Sequence, residues 1–226
     1  MERVGAIVPA AGHGRRMGGR DKLFLPLGGR PLLAWCVDTL ERSDLVGEVV
    51  VALNPAGLKR AALLSEARGW RKTRTCLGGA RRQDSVAAAL RLLGSVDWVL
   101  VHDGDRPFLT ERLIQDGIDA ARDTGAAVAA VPSKDTIKVV DAAGLVVQTL
   151  ERDALRAVQT PQVFRADILQ RAYALSDESA TDDATLVERL GCHVRLFDGA
   201  YENLKVTTPD DLVVARAIAR RWKGAP

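Results

Sequence analysis

Cysteine and histidine are scarce in this chain of 226 residues, which contains three of each. Cys36, Cys76 and Cys192 lie far apart, and none belongs to a C-x-x-C pair. An odd number of isolated cysteines does not indicate a disulfide framework and is typical of reduced, mostly buried thiols in a cytoplasmic protein. The histidines are equally scattered, so the sequence does not predict a zinc site.

The chain also lacks a large excess of charge and any long apolar run. Its formal net charge is +3, which provides no bulk basic field for nucleic acid. No apolar stretch approaches the ~20 residues that a membrane-spanning helix needs. The run Val4–Val8 is too short for a signal peptide and leads into a charged loop. We therefore expect no nucleic-acid partner, no membrane span and no signal peptide.

The sequence does contain an alternation of short apolar runs and helical patterns. With 47% hydrophobic and 27% charged residues, its composition is that of a globular protein. The order of strands and helices predicts a single domain, residues 1–226, with a three-layer α/β/α, Rossmann-like fold and a mostly parallel sheet. Asp97–His102 is the most strand-like run and is predicted to lie at the sheet centre. Ligands in such folds bind at the carboxyl ends of strands.

One segment departs from this alternation. Thr136–Val140 and Leu145–Leu150 flank a turn at Asp141–Gly144. Two strand-like runs around a tight turn predict a β-hairpin. We expect this hairpin, within residues 133–153, to project from the body as an arm.

Polar segments of the last third are predicted to be a turn, a helix cap and a strand. Gln159–Gln162 predicts a tight polar turn, and Thr181 predicts the N-cap of a helix. Asn203–Thr207 predicts a strand with a polar tip. Thr208 and Pro209 predict a helix start, with an N-cap followed by proline at the first position.

The first strand leads into a loop rich in glycine and cations. Glycine lets a ligand approach the backbone N–H groups, and arginine and lysine add full charges, so the loop is predicted to hold a polyphosphate. It lacks the Gly-Lys-Ser/Thr of a Walker A motif, and Met17 stands where a dinucleotide fingerprint needs its third glycine. The alternative is a surface turn with solvated arginines. The loop's cations are Arg15, Arg16, Arg20 and Lys22.

Two further motifs follow predicted strands. Gly78–Ser85 is a glycine-rich turn that opens a helix, where backbone N–H groups favour an anion or a polar base edge, although an ordinary capped helix start is the alternative. His102–Pro107 follows the central strand and places Asp103 to hold Mg²⁺ against phosphates. Arg106 can pair with an acid or a phosphate. The alternative for this motif is a salt-bridged turn, and His102 is expected to be a packed strand-end residue.

Taken in order, these motifs resemble the 2-C-methyl-D-erythritol 4-phosphate cytidylyltransferase family over about Val4 to Trp222. The resemblance rests on the series AAGHGRRM…DK, GGARRQDSV, HDGDRPF, KDTIK, QTPQVF, TDDA and NLKVTTPDDL. It implies a CTP-dependent transfer to a sugar-alcohol phosphate, a divalent cation such as Mg²⁺, and a homodimer joined through exchanged arms.

The resemblance also implies roles for individual residues. The catalytic residues would be Arg16, Lys22 and Asp103, with Asp103 next to the metal. Nucleotide binding would fall to Pro9, Ala10, Ala11, Gly12, Gly14, Arg15, Gly79, Arg82, Asp84, Ser85 and Gly104. The second substrate would contact Arg106, Thr136, Arg152, Thr160, Thr181 and Lys205, with Thr136 and Arg152 reaching the neighbouring subunit's site.

Some residues depart from the family pattern. Asp105 occupies a position that is small in the family, where it could tune metal binding or face solvent. Asp21 and Leu23 flank Lys22 in place of the family's proline and glutamine. The alternatives are a ribitol 5-phosphate cytidylyltransferase and a catalytically silent nucleotide-binding regulator, with a dinucleotide-dependent oxidoreductase as a distant third.

Overall fold

A computed structural model describes residues 2–12, 21–175 and 179–224 of the chain. The strands are β1 (Val4–Ala10), β2 (Pro26–Leu27), β3 (Arg30–Pro31), β4 (Val46–Leu53), β5 (Thr73–Leu77), β6 (Trp98–Val101), β7 (Ala126–Pro132), β8 (Lys138–Val140), β9 (Val146–Thr149), β10 (Arg156–Arg165) and β11 (Arg195–Asp198). The helices are α1 (Leu32–Arg42), α2 (Pro55–Arg68), α3 (Arg82–Leu90), α4 (Glu111–Thr124), α5 (Ala166–Leu175), α6 (Asp183–Glu188) and α7 (Pro209–Gly224).

Seven strands form the central sheet in the order β11-β7-β10-β6-β1-β4-β5. Adjacent strands of this sheet are parallel, except that β10 runs antiparallel to both β6 and β7. All four residues of β6 are buried, as expected for a strand covered on both faces. The mostly parallel sheet and the central position of β6 confirm the predicted fold.

Side-chain alternation along the strands divides the core into two layers. Ala6 of β1 and Leu100 of β6 are paired in register, and both pack with α1, α2, α4 and α7. The next pair, Ile7 and Val101, belongs to the cluster formed with α3, α5 and α6. Because successive side chains of a strand point to opposite faces, both faces are covered by helices. This is the predicted three-layer α/β/α arrangement.

The predicted hairpin is present as a separate two-stranded sheet of β8 and β9. Gly144 in its turn has φ of 80°, a conformation that favours glycine. Every residue of both strands is exposed, including Val139, Val140, Val146 and Val147. Exposed valines on a projecting hairpin make it a candidate contact surface.

Three local predictions for the last third are wrong. Gln159–Gln162 is not a turn but part of β10, where the pairing with β7 shifts register between Val158 and Gln162. Asn203–Thr207 is not a strand; its Val206 N–H instead donates to Asp105 O at 2.9 Å. The N-cap of α6 is Asp182 rather than Thr181, because Asp182 Oδ1 accepts the N–H of Thr185 at 3.0 Å. In the first two cases tertiary contacts override a local pattern, whereas the cap at Asp182 is a local contact displaced by one residue from the predicted one.

The helix starts predicted at Thr110 and Pro209 are confirmed. Thr110 caps α4, with its Oγ1 accepting the N–H of Leu113 at 3.2 Å, and α7 starts at Pro209. Within the described ranges, no helix combines the length and apolar character needed to cross a membrane.

Candidate active site

The carboxyl ends of β1, β5 and β6 open onto a cavity of about 470 Å³. These strands run in the same direction, so the loops that follow them meet at one edge of the sheet. The predicted site residues that line this cavity are Pro9, Ala10, Ala11, Gly12, Lys22, Gly79, Arg82, Ser85, Asp103 and Lys205. The cavity therefore joins the phosphate-loop motif, the second glycine turn and the acidic motif.

A second cavity, of about 250 Å³, adjoins the first. Arg106, Thr160 and Thr181, three residues predicted to contact the second substrate, line it. Arg82, Asp103 and Lys205 line both cavities. These three side chains, called here the junction, form the common wall of the two spaces.

The second glycine turn is shaped by close packing against the start of α3. A Cβ atom on Gly78 would lie 2.5 Å from the Cβ of Ala11, and one on Gly79 would lie 2.2 Å from the Cβ of Asp84. Neither position can hold a side chain without a shift of the backbone. The Ser85 Oγ accepts the N–H of Gly79 at 3.1 Å, which fixes the turn against the helix.

Asp103 is held between two cations at the junction. Its Oδ1 accepts Arg82 Nε at 2.8 Å, and its Oδ2 accepts Lys205 Nζ at 2.9 Å. Burial alone would raise the pKa of Asp103, but Arg82 and Lys205 outweigh burial and hold that pKa well below its ordinary value. The carboxylate is therefore ionised.

Arg82 is fixed from its other side by a buried acid that the sequence analysis missed. Arg82 Nη1 donates to Asp183 Oδ2 at 2.7 Å, and the Asp183 side chain is 1% exposed. The Tyr173 hydroxyl donates to the other oxygen of Asp183. Burial and the charge of Asp183 raise the pKa of Tyr173 far above its ordinary value, which keeps that hydroxyl protonated. The available signal is the second acid of the TDDA motif, in which the sequence analysis assigned a role to Thr181 alone.

His102 is a packed strand-end residue, as expected, and it supports the acidic motif. Its Nε2 donates to the carbonyl of Arg106 at 2.9 Å, and its Nδ1 accepts from Thr160 Oγ1 at 3.2 Å. The Asp103 N–H donates to the same Thr160 oxygen at 3.0 Å. Burial lowers the pKa of His102 to about 4, so the ring is neutral at pH 7. Thr160 therefore helps hold the Asp103 loop as well as lining the second cavity.

Lys22 reaches the same edge from the end of the phosphate-loop motif. Its Nζ donates to Asp105 Oδ2 at 2.6 Å and to the carbonyl of Val206 at 2.8 Å. Asp105 therefore does not face solvent, one of the two alternatives that the sequence left open. Its side chain is 13% exposed and lies in the wall of the larger cavity.

Not every predicted residue is brought to the cavities. Asp84 and Gly104 do not line either cavity as described. The Asp84 carboxylate accepts hydrogen bonds from Arg81. Gly104 is packed against the core, since a Cβ atom on it would lie 3.2 Å from side-chain atoms of Leu33 and Val8. Thr136 and Arg152 are exposed on the arm and its base, away from the described cavity walls of this chain. Gly14, Arg15 and Arg16 lie outside the described residues.

The larger cavity also includes residues to which the sequence analysis gave no binding role. They are Leu23, Ala80, Arg81, Asp105 and Thr207. Each lies within two residues of a predicted site residue along the chain. Their proximity to predicted site residues is the signal that could have identified them.

The chain is similar throughout its length to proteins of one family. A family model described as IspD, 2-C-methyl-D-erythritol 4-phosphate cytidylyltransferase, matches residues 4–221. A protein of that name from Dehalococcoides mccartyi is 47% identical over 223 residues, covering 98% of each chain. Another from Frankia casuarinae is 49% identical over 223 residues, covering 97% of this chain and 82% of the relative.

Solved structures are similar over the same length. The crystal structure of 4-diphosphocytidyl-2C-methyl-D-erythritol synthase from Anaerococcus prevotii has a TM-score of 0.87 at 31% identity, covering 97% of this chain and 99% of that one. The 2-C-methyl-D-erythritol 4-phosphate cytidylyltransferase of Thermus thermophilus has a TM-score of 0.78 at 37% identity, covering 97% and 100%. Both likenesses support the α/β architecture.

Proposed function

The chain belongs to the 2-C-methyl-D-erythritol 4-phosphate cytidylyltransferase family, and we propose that its two adjoining cavities hold the two substrates. It is a nucleotidyltransferase that joins CTP and 2-C-methyl-D-erythritol 4-phosphate to give 4-diphosphocytidyl-2-C-methyl-D-erythritol and pyrophosphate. The observation that carries the assignment is the junction, since Arg82, Asp103 and Lys205 line both cavities. Substrates in the two cavities would meet there.

In the proposed reaction, a phosphate oxygen of the sugar-alcohol phosphate attacks the α-phosphorus of CTP. A new P–O bond forms, the bond to the β-phosphate bridging oxygen breaks, and pyrophosphate leaves with that electron pair. A phosphate monoester has a second pKa of about 6, so the nucleophile is mostly ionised at neutral pH without a general base. The protein must bring two anions together and stabilise the charge of the transition state.

Lys22 and Lys205 at the cavity walls suit this task. Lys22, together with Arg16, which lies outside the described residues, is proposed to stabilise the α-phosphate and the leaving pyrophosphate. Lys205 and Arg106 are proposed to hold the attacking phosphate, with Thr160 and Thr181 in the same cavity. Gly79 and Ser85, at the start of α3, are proposed to recognise the cytidine, since backbone N–H groups there suit polar base edges.

A divalent cation fits the donor chemistry of the larger cavity. No cluster of three or more potential metal-ligating side chains occurs among the described residues. Mg²⁺ is commonly held by one or two carboxylates together with substrate phosphates, and the ionised Asp103 lies in the cavity wall. We propose that Asp103 would hold the ion against the phosphates, where the ion would supply positive charge.

The cytoplasmic location expected from the cysteines stays a prediction.

The function is tested by pyrophosphate release from CTP and Mg²⁺ with each of two polyol phosphates. Turnover that prefers 2-C-methyl-D-erythritol 4-phosphate supports the proposal. A preference for ribitol 5-phosphate would instead select the related cytidylyltransferase. Nucleotide binding without turnover on either compound would favour a catalytically silent regulator.

The arm is proposed to join two chains and to carry Thr136 and Arg152 to the partner's second cavity. Its exposed valines and the position of Arg152 away from the cavities of its own chain support this arrangement. Arg152→Ala is expected to raise the KM for the sugar-alcohol phosphate by about 10-fold or more, the scale for losing a charged hydrogen bond, and to leave CTP affinity unchanged. Steady-state kinetics and CTP titration measure the two effects. An equal loss of CTP affinity would refute the division of the two sites.

Mixing two defective variants tests whether the arm serves the partner. In a hybrid of Lys22→Ala and Arg152→Ala chains, an exchanged arm leaves one site with both lesions and the other site intact. Activity at low sugar-alcohol phosphate should therefore rise above that of either variant after subunit exchange. If each arm serves its own chain, mixing restores no intact site and activity stays at the average of the two.

A further inference from the structure

Asp105 is the second acid of the HDGDRP motif. It has been assigned no role in binding the metal or the second substrate. It is separated from Asp103 by one residue, yet the two carboxylates have different partners. Each oxygen of Asp103 accepts one hydrogen bond, from Arg82 or from Lys205, whereas Asp105 Oδ2 accepts Lys22 Nζ at 2.6 Å. The acidic motif thus supplies one carboxylate to the junction and another to Lys22.

Three loops are tied together around this ion pair. Asp105 accepts the N–H of Val206 on its backbone carbonyl at 2.9 Å, and Val206 in turn accepts Lys22 Nζ on its own carbonyl at 2.8 Å. Lys22 and Val206 are separated by 184 positions in the chain. The end of the phosphate-loop motif is therefore fixed to the acidic motif and to the segment before α7.

The arrangement leaves Lys22 with a donor for a ligand. A lysine ammonium carries three N–H donors, and two of them are used by Asp105 and Val206. The third has no partner among the described residues, and Lys22 lines the larger cavity. Both side chains of the pair are 13% exposed, so solvent screens their attraction less than it would at the surface.

Asp105 also stands between two lysines. Its Oδ1 lies 4.0 Å from Lys205 Nζ, while its Oδ2 binds Lys22. A carboxylate between two ammonium groups offsets their mutual repulsion. Without it, Lys22 would keep one neutral acceptor, the carbonyl of Val206, and a freer side chain.

We propose that Asp105 is a positioning residue for the transfer reaction, which fixes the Lys22 ammonium so that its remaining N–H faces the phosphates of the bound nucleotide. The inference rests on the proposed role of Lys22. It differs from a metal-binding role for Asp105, which would act on the cation rather than on the lysine.

The kinetic test uses Asp105→Ala, which removes the acceptor, and Asp105→Asn, which keeps an acceptor but removes the charge. For Asp105→Ala, kcat should fall by about 10-fold or more, because misplacing a charged group lowers the rate steeply. The KM for CTP should not rise, because a negative charge near the triphosphate is lost. The kcat of Asp105→Asn should lie between that of the alanine variant and that of the natural protein. An unchanged kcat for Asp105→Ala would overturn the proposal.

A double-mutant cycle shows whether Asp105 acts through Lys22. In a Lys22→Ala background, Asp105→Ala should change kcat/KM by less than about 2-fold, since the lysine to be positioned is gone. The same loss in both backgrounds would refute the inference. So would a raised Mg²⁺ concentration for half-maximal rate, which would indicate a metal carboxylate. If Asp105→Ala does not fold, as judged by circular dichroism, the cycle is run with Asp105→Asn.

A matched control is Asp167→Ala, which breaks another 2.6 Å ion pair, with Arg165, away from both cavities. Its kinetics should be those of the natural protein. The cycle also separates the role of Lys22 from that of Asp105. Near-normal turnover of Lys22→Ala would overturn the role of Lys22 and the inference together. An impaired Lys22→Ala with a fully active Asp105→Ala would overturn the inference alone.

Discussion

Lys22→Ala is expected to lower kcat by about 10²–10³-fold, equivalent to about 2.7–4 kcal/mol of the barrier. This is the scale for losing one preorganised group that stabilises charge in a transition state. Lys22 meets the condition of preorganisation, because Asp105 and Val206 hold its ammonium at the cavity wall. Initial rates of pyrophosphate release at saturating CTP and sugar-alcohol phosphate measure the effect.

The control for this prediction is Lys72→Ala. Lys72 Nζ also donates to a backbone carbonyl, that of Ser43 at 2.7 Å, but it belongs to neither cavity. Its removal should leave kcat unchanged. Lys22→Arg should not restore full activity, because a planar guanidinium cannot reproduce the ammonium's compact donor geometry. A Lys22→Ala protein with near-normal turnover would remove Lys22 from the catalytic residues.

Asp183→Ala is expected to lower the free energy of unfolding by about 3–5 kcal/mol, the cost of breaking a buried ion pair from one side. The substitution leaves Arg82 Nη1 and the Tyr173 hydroxyl without their buried acceptor, whose side chain is 1% exposed. The loss is a large part of the roughly 5–15 kcal/mol that stabilises most domains. Urea unfolding followed by circular dichroism measures it.

An exposed ion pair provides the comparison for Asp183. Arg165 and Asp167 are 55% and 56% exposed, so Asp167→Ala should cost about 1 kcal/mol or less. Tyr173→Phe removes one hydrogen bond but leaves the pair with Arg82, and should cost about 0.5–1.5 kcal/mol. A loss for Asp183→Ala no larger than that for Asp167→Ala would show that the buried pair does not stabilise the fold.

Much of the fold could be predicted because it depends on short-range patterns. Runs such as Val4–Val8 and Trp98–Val101 are apolar on both faces, as expected for strands of a sheet covered on both sides. The hairpin followed from its turn and strand residues, and the start of α4 from Thr110. These signals lie within a few residues of the structure that they specify.

The segment Gln159–Gln162 shows where such patterns fail. Four residues with three polar side chains are typical of a turn, yet all four are buried in β10. Their polar groups find partners from distant parts of the chain. Gln159 binds the backbone of Ala200, and Gln162 binds Asp182. A buried polar strand is stable only with these partners, and no local rule supplies them.

The sequence by itself determined the α/β class, the hairpin and the loops that carry the chemistry, because strand periodicity and glycine-rich turns are local properties. The tertiary structure decided which side chains of those loops meet. Asp103 and Lys205 are separated by 102 positions, Arg82 and Asp183 by 101, and Lys22 and Val206 by 184. Such contacts depend on the order of strands in the sheet, which brings the carboxyl ends of β1, β5 and β6 together. The pairing of Lys22 with Asp105, rather than Asp103, follows from that packing.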